Sequence, residues 1–233
     1  AVAYNPVEVL KTNVLGTQNV IEASVACGVR SVVVVSSDKA VEPSNVYGSS
    51  KNVAEHLAVS SNVYAVPQGT RVSVVRYGNV AWSRGSVLWT WADQSAQRYL
   101  QITDKRMTRF WLTLDRAVDL IEVALKYAAA GEILAPALHA ASMVDIASAL
   151  VQGDCVINEI GLRPGGEKLH EVLIGTEEAS RTHQENGLFF IQPHLPTWGH
   201  EKLVYNMATR YSSDMAPRMT QEEIMALLAS KPV

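Results

Sequence analysis

The sequence predicts an α/β protein built on a doubly wound parallel sheet, and three observations carry that expectation. "RSVVVVSS" (30–37) and "RVSVVRYGNV" (71–80) are short β-branched runs without polar alternation, the pattern of strands buried on both faces. Each follows a stretch with helical apolar spacing, so the order reads helix, strand, helix, strand. The first strand then ends in a knot of polar groups, "SSDKAVEPSNVYGSSK" (36–51), and open α/β sheets bind ligands at the carboxyl ends of their strands.

The elements follow in chain order. Asn5-Pro6 opens a helix, since proline is tolerated in a first turn. Val9, Leu10, Val14, Val20, Ile21 and Ala23 recur at helical spacing, and Gly28 stops the run. After the strand and the "EPSN" loop, a second helix runs from near Tyr47 to about Ser60. "AVPQGT" turns the chain into the second strand. The rhythm changes after Val80. "AWSRGSVLWTWADQSAQ" reads as a loop leading into a helix. "LTLDRAVDLIEVALKYA" is amphipathic, with Leu114, Val118, Ile121, Ala124 and Leu125 on one stripe. "SMVDIASALV" is a helix that Ser142 can cap, and "RMTQEEIMALLAS" carries a capping box at Thr220 and Glu223. The expected organisation is part of a doubly wound domain over 1–80 and a smaller mixed α/β lobe over 81–233.

Composition bounds the function. The chain has 233 residues, 48% hydrophobic and 18% charged, an ordinary globular balance. A net charge of -3 without a Lys/Arg cluster argues against nucleic acid as a partner. Cys27 and Cys155 make no disulfide framework and suit a reducing compartment. No apolar run of about 18 residues offers a membrane span. The start has neither an initiating Met nor a signal peptide, so the chain reads as cut from something longer. The six histidines lack His-Glu-x-x-His spacing, so no metal is expected. His194 and His200 read as exposed. Trp82, Trp89 and Trp91 read as packing residues.

The polar knot invites a chemical reading. Tyr47 and Lys51 are four apart and would share a helix face, where an ammonium would lower the phenol pKa and make it a usable base. That spacing alone is better read as a surface pair, and Asp38-Lys39 alone as a loop ion pair. Gathered at one strand end, these groups favour a site.

At this point the motifs resemble a known family. "YNPVEVLKTNVLGTQNVIEA", "SSDKAVEPSNVYGSSK", "VVRYGNV", "SRGSV", "ITDKRMTRFWLTLDRAVDLI" and "GLRPGGEKLHEVLI" are similar to motifs of the extended short-chain dehydrogenase/reductases that act on nucleotide sugars. Among these they most resemble the UDP-N-acetylglucosamine 4,6-dehydratases of polysaccharide biosynthesis. The resemblance implies a Rossmann-like NAD-binding part, a UDP-sugar substrate, a cytoplasmic location and a homo-oligomer. It implies Tyr47 with Lys51 as the C4 base, Lys39 as the C5 base with a lowered pKa, and Asp38 as the C6 acid with a raised one. Ser37 would hold the C4 oxygen where the family usually has Thr. Asn13, Tyr47, Lys51, Tyr77 and Gly78 would meet the cofactor. Asn79, Arg84, Gly85, Ser86, Arg109, Arg163 and Glu167 would meet the substrate. Two departures stand out: Trp82 replaces a usual Gly and would narrow the site, and Gly165-Gly166 adds a residue before Glu167.

The family's glycine-rich strand-turn-helix, which cradles the NAD pyrophosphate, has no counterpart in these residues. Both buried strands would then lose most of their neighbours and expose edges. A piece of a longer enzyme is the favoured explanation, ahead of completion by a second chain or a degenerate, inactive product. Two rival functions stay open: a nucleotide-sugar C4 epimerase, and a non-catalytic nucleotide-sugar-binding or scaffold module without NAD.

Overall fold

The computed structural model describes residues 5–95, 98–151, 155–162, 165–194 and 207–232. The chain starts with α1 (Pro6–Leu10), passes through a π-helical segment (Lys11–Leu15) and continues as α2 (Gly16–Ala26). Asn5 caps the start, its side chain accepting from the Glu8 N–H, and Gly28 leaves the helix with a positive φ of 68°. β1 (Ser31–Val35), a 3-10 turn (Asp38–Ala40), α3 (Val46–Ala65) and β2 (Arg71–Val75) follow. Next come β3 (Asn79–Val80), α4 (Val87–Ser95), β4 (Tyr99–Ile102), β5 (Thr108–Leu112), α5 (Leu114–Tyr127) and β6 (Ile133–Pro136). The remainder is β7 (Ala140–Ser142), α6 (Met143–Leu150), β8 (Val156–Glu159), β9 (Val172–Ile174), α7 (Thr176–Ala179), β10 (Thr182–Glu185), β11 (Leu188–Ile191) and, at the end, α8 (Gln221–Ala229). Both late caps form as the residues dictate. Ser142 Oγ accepts from the Asp145 N–H, and Thr220 and Glu223 exchange backbone N–H groups in a capping box. No helix among the described residues is long and apolar enough to cross a membrane.

The chain divides into two units. One comprises Ala1–Tyr77, Val118–Ala137 and Val172–Tyr211; the other comprises Gly78–Ala117, Leu138–Glu171 and Ser212–Val233. The single division expected at residue 80 is therefore an interleaved one. Its cause is hydrogen bonding between distant strands. The first unit holds a five-stranded sheet in the order β1-β2-β6-β11-β10, with β1, β2 and β6 parallel and the last two strands antiparallel. This corrects the expectation that both early strands would be stranded. β2 has a neighbour on each side, and of the two early strands only β1 lies at an edge among the described residues, β10 forming the other edge of the sheet.

"RVSVVRYGNV" also proves to be two strands rather than one. The ladder of β2 ends at Val75, and β3 pairs instead with β5 of the second unit's three-stranded sheet, β3-β5-β7. Gly78 marks the break. A Cβ there would lie 2.5 Å from the Phe110 Cβ, so only glycine permits the approach.

The core of the first unit places Leu120, Ala124 and Ala128 of the α5 region against Val75 and Leu134 of the sheet. The apolar stripe expected on α5 holds at Ala124 and Ile121 and fails at its other three positions. Leu114, Val118 and Leu125 are exposed, while Ala117, Leu120 and Ala124 are buried. The sheet selects small side chains for close helix approach, a demand that ranking by hydrophobicity alone misses. The second unit has its own core, where Trp82, Trp91, Leu100, Phe110's neighbour Trp111, Ile146 and Leu227 cluster.

Arg76, directly after β2, is buried with every donor used. Nε and Nη2 donate to the two Glu55 oxygens (3.0 and 2.6 Å). Nη1 and Nη2 donate to Glu178 (2.8 and 2.9 Å), and Nη1 also donates to the Leu173 carbonyl (2.8 Å). Burial alone would raise the Glu178 carboxyl, but the Arg76 charge and hydrogen bonds, with the Gly175 N–H, bring it down to about 2 from its ordinary 4.5. A carboxylate held lower in the folded state stabilises the fold above its unfolded value and loses that contribution as pH falls. Unfolding free energy should therefore drop by on the order of 3 kcal/mol as pH falls from 4.5 towards 2. Glu178→Gln should flatten that segment of the curve, measured by denaturant unfolding across the window.

Candidate functional site

The site is assembled from the carboxyl end of β1, the 3-10 turn behind it and the first turns of α3. β1 passes into the turn through Ser37, which is extended (φ -155°, ψ 155°) and caps it by accepting from the Lys39 N–H. Asp38 is fully buried. Its N–H donates to the Tyr77 carbonyl (3.0 Å), and its Oδ1 accepts from Ser37 Oγ (2.9 Å) and Lys39 Nζ (3.0 Å). The Lys39 side chain remains about one-third exposed. Acid and amine thus form one hydrogen-bonded pair, with the amine reaching solvent.

Asn45 caps α3, its side chain accepting from the Gly48 N–H at 2.9 Å. Tyr47 and Lys51 lie on successive turns, both half-buried, but Lys51 is not the cation that acts on the phenol. Lys51 Nζ donates to the Val35 carbonyl at the end of β1 (3.1 Å), and burial lowers its pKa against the opposing pull of Glu55. The Tyr47 phenol is pushed up, not down. Burial raises it, Lys39 lowers it by less, and Asp38 raises it further. The expectation of a phenol activated by Lys51 is corrected on both counts: desolvation dominates, and Lys39 supplies the relieving charge. Tyr77 neighbours Tyr47 electrostatically and is itself raised by burial.

Asn13 sits in the π-helical segment, a geometry that recurs at functional sites. Its amide donates to Ser50 Oγ (2.9 Å), and Ser50 Oγ donates to the Tyr47 carbonyl (2.7 Å). Asn13 therefore supports the turn that carries Tyr47.

The second unit holds the other predicted residues. Asn79 pairs with Trp111 in the β3-β5 ladder. Arg84 and Gly85 are exposed on a turn where Gly85 has φ +80°, and Ser86 Oγ accepts from the Leu88 N–H near the start of α4. Arg109 is no free fork. It is buried in β5, where it donates to the carbonyls of Thr108 (2.7 Å), Lys168 (2.9 Å) and Leu169 (3.0 Å) and lies 3.5 Å from Glu167 and 3.8 Å from Glu171. The expected diphosphate contact is replaced by a tie that pins the 167–171 loop. The paired glycines before that loop both take positive φ, 105° and 86°. Arg163 lies outside the described residues. Trp82 takes φ +56°, left-handed backbone that the family's usual glycine adopts freely. Its indole is held inside the unit: Nε1 donates to the Leu228 carbonyl (3.1 Å), and the ring stacks edge-on against Trp89. It packs rather than narrowing an opening.

Two residues of the assembly are absent from the motif reading, Gly48 and Asn52. A Cβ on Gly48 would collide with the Lys39 carbonyl oxygen and sit 3.1 Å from Pro43 Cβ. Asn52 Nδ2 donates to the Ala40 carbonyl (3.0 Å). A glycine inside a helical pattern was the available signal for the first; nothing local announces the second.

The family model for polysaccharide biosynthesis proteins matches residues 1–193. The chain belongs to that family. Among its relatives, the polysaccharide biosynthesis chain is 39% identical over 194 residues to a UDP-N-acetylglucosamine 4,6-dehydratase (inverting) of Campylobacter jejuni, covering 82% of this chain and 58% of that protein. The chain thus spans less than two thirds of that relative's length. It is 34% identical to a UDP-glucose 4-epimerase of Rickettsia felis, over 97% of this chain and 69% of that one. The X-ray structure of Pen from Bacillus thuringiensis superposes with a TM-score of 0.89 at 33% identity, covering 99% of this chain and 71% of Pen.

Two measurements follow from the geometry. Gly48→Ala should lower stability by about 1–3 kcal/mol through overpacking. Gly16→Ala, whose Cβ would meet nothing closer than 3.5 Å, should be neutral or stabilising in the same denaturation assay. In absorbance titrations corrected with Tyr47→Phe, the Tyr47 phenol should ionise above its ordinary value of 10, move higher in Lys39→Met and move lower in Asp38→Asn.

Proposed function

We propose that this chain carries the catalytic strand-helix unit and the sugar-nucleotide lobe of an NAD-dependent 4,6-dehydratase. Its substrate is a UDP-N-acetylhexosamine, UDP-N-acetylglucosamine first, and its product a 4-keto-6-deoxy sugar nucleotide for polysaccharide biosynthesis. The observation that carries this reading is the Asp38–Lys39 pair, 3.0 Å apart on a turn beside Tyr47. A reaction that must both remove a carbon-bound proton and protonate a departing hydroxyl needs an acid and a base together. An epimerase needs neither at C5 and C6. The Rickettsia relative keeps epimerisation as the second reading, and Asp38–Lys39 weighs against it.

The residues fit the nicotinamide end of the cofactor. Tyr47 and Lys51 stand at the carboxyl end of β1, with Tyr77 beside them and Asn13 behind, while no glycine-rich pyrophosphate cradle lies within the 233 residues. Bound NAD would supply a reversible hydride acceptor. The side chains do the proton chemistry. Tyr47 takes the C4 hydroxyl proton as its phenolate, the form that burial disfavours and the Lys39 charge favours, and Ser37 Oγ hydrogen-bonds the C4 oxygen. The 4-keto group acidifies C5, and Lys39 removes that proton. Asp38 protonates the C6 hydroxyl, which leaves as water as the C6–O bond breaks. The C5=C6 bond left behind would take back hydride at C6 and a proton at C5 from Lys39, and the proton that Tyr47 gained at C4 would make good the one that Asp38 lost, so all three side chains return to their starting states. Asn79, Arg84, Gly85, Ser86 and Glu167 are the candidate sugar-nucleotide contacts, with Arg109 positioning the loop that carries Glu167.

The test uses the natural polypeptide containing this chain, with bound NAD verified, given UDP-N-acetylglucosamine and followed by mass spectrometry. Loss of one water is expected. Asp38→Asn or Lys39→Met should slow it about 10²–10⁴-fold, the usual contribution of a positioned acid or base. A C4 epimer without water loss would establish the second reading instead.

A further inference from the structure

The redox and elimination groups sit on two different elements, α3 for Tyr47 and Lys51 and the 3-10 turn for Asp38 and Lys39. The covalent link between them is the loop 41–45, which contains Pro43 and runs through Glu42 at φ 46°. Such a loop does not by itself fix the turn to the helix. Two noncovalent features do. The missing side chain of Gly48 lets the Lys39 carbonyl rest on the helix backbone. One turn further along, Asn52 Nδ2 donates to the carbonyl of Ala40, the last residue of the turn. Gly48 sets how close the turn comes, but a steric contact alone does not set its register along the helix. The Asn52 hydrogen bond removes that freedom, because its geometry tolerates little misalignment.

We infer that Asn52 is a positioning residue that holds the Asp38–Lys39 turn in register with Tyr47, and so keeps the elimination step aligned with the redox step. Asn52 touches none of the four groups named for the chemistry by a hydrogen bond; it acts through the Ala40 carbonyl. The inference rests on the dehydratase reading for its catalytic part and on geometry alone for its anchoring part.

The experiment has an arm for each part. In the natural polypeptide that contains this chain, amide hydrogen exchange is compared between wild type and Asn52→Ala. Faster exchange at Ala40 and Val41, whose N–H groups donate to Ser37 and Asp38 carbonyls, with α3 unchanged beyond its first turns, is expected. Unchanged exchange in the turn, or a global rise, overturns the anchor whatever the enzyme does. In the natural polypeptide with bound NAD and UDP-N-acetylglucosamine in deuterated water, Asn52→Ala should slow deuterium entry at C5 about 10–100-fold, the scale of a small misplacement of reacting groups. Reduction of the nicotinamide in the first turnover should change by less than about threefold, because Tyr47 keeps its own supports. Equal loss in both signals overturns the positioning role and marks a merely structural residue. Wild-type enzyme that reduces the nicotinamide but never exchanges C5 overturns the dehydratase reading and the catalytic part with it, while leaving the anchor to the first arm. Asn52→Gln, which can still donate, should recover exchange at C5 at least partly; no recovery counts against the hydrogen bond as the cause.

Discussion

The buried Arg76 fork is the interaction on which the first unit depends. Five donors meet two carboxylates and a carbonyl, so no polar atom of the guanidinium is left to pay desolvation without return. Its partners come from α3 and from the consecutive β9 and α7, two parts of the chain far apart in sequence. Removing one member would leave a buried charge unmatched, which is why such clusters fail as a unit. Arg181, 3.9 Å from Glu178, brings a second guanidinium to the two carboxylates. Glu55 lies one turn from Lys51, and its carboxylate opposes the lowering that burial imposes on the lysine.

Helix α3 is the second element on which the site depends, and its buried face is unusual. Apart from Glu55 and Asn62, the residues that line it are all small: Gly48, Ser50, Ala54, Ala58, Ser61 and Ala65. Small side chains allow close approach at the cost of apolar area, so polar contacts carry more of the docking. Asn13, Asn52 and Asn62 supply them, each through its side-chain amide, while Asn45 caps the helix start. The site geometry is thereby a property of amide hydrogen bonds as much as of hydrophobic burial.

What was legible in the sequence was local. Asn5-Pro6, Gly28, Ser142 and the Thr220–Glu223 box signal their helix ends because capping is decided within a few residues. The two β-branched runs announce strands for the same reason, but only β2 is buried as expected; β1 is half-buried with Val35 exposed, because among the described residues it has a strand neighbour on one side only. The gathering of Asp38, Lys39, Tyr47 and Lys51 was also readable, since one short segment carries all four. What was not legible depends on distant partners. "ILAP" at β6 and "LFFI" at β11 complete the sheet only by pairing with β2 and with each other. The buried face of α5 turns on how near the sheet comes to Ala124. Arg109 reads as a ligand-binding fork until the 167–171 loop arrives to occupy it. The direction of the Tyr47 shift likewise depends on burial, which spacing along a helix does not report.

Asn62 gives the docking of α3 one further property. Fully buried, it donates to the Val72 carbonyl (2.9 Å) and accepts from the Val72 N–H (3.0 Å), engaging both backbone groups of one strand residue as a neighbouring strand would. An alanine-lined helix could otherwise glide along the sheet at little cost. This contact works like a detent in a slide, admitting one seated position and penalising the next. It lies fifteen residues from Tyr47, about 22 Å along the axis at 1.5 Å per residue. The placement of the phenol is thus indexed from the far end of the helix, and a rigid rod transmits that index without any contact near the chemistry.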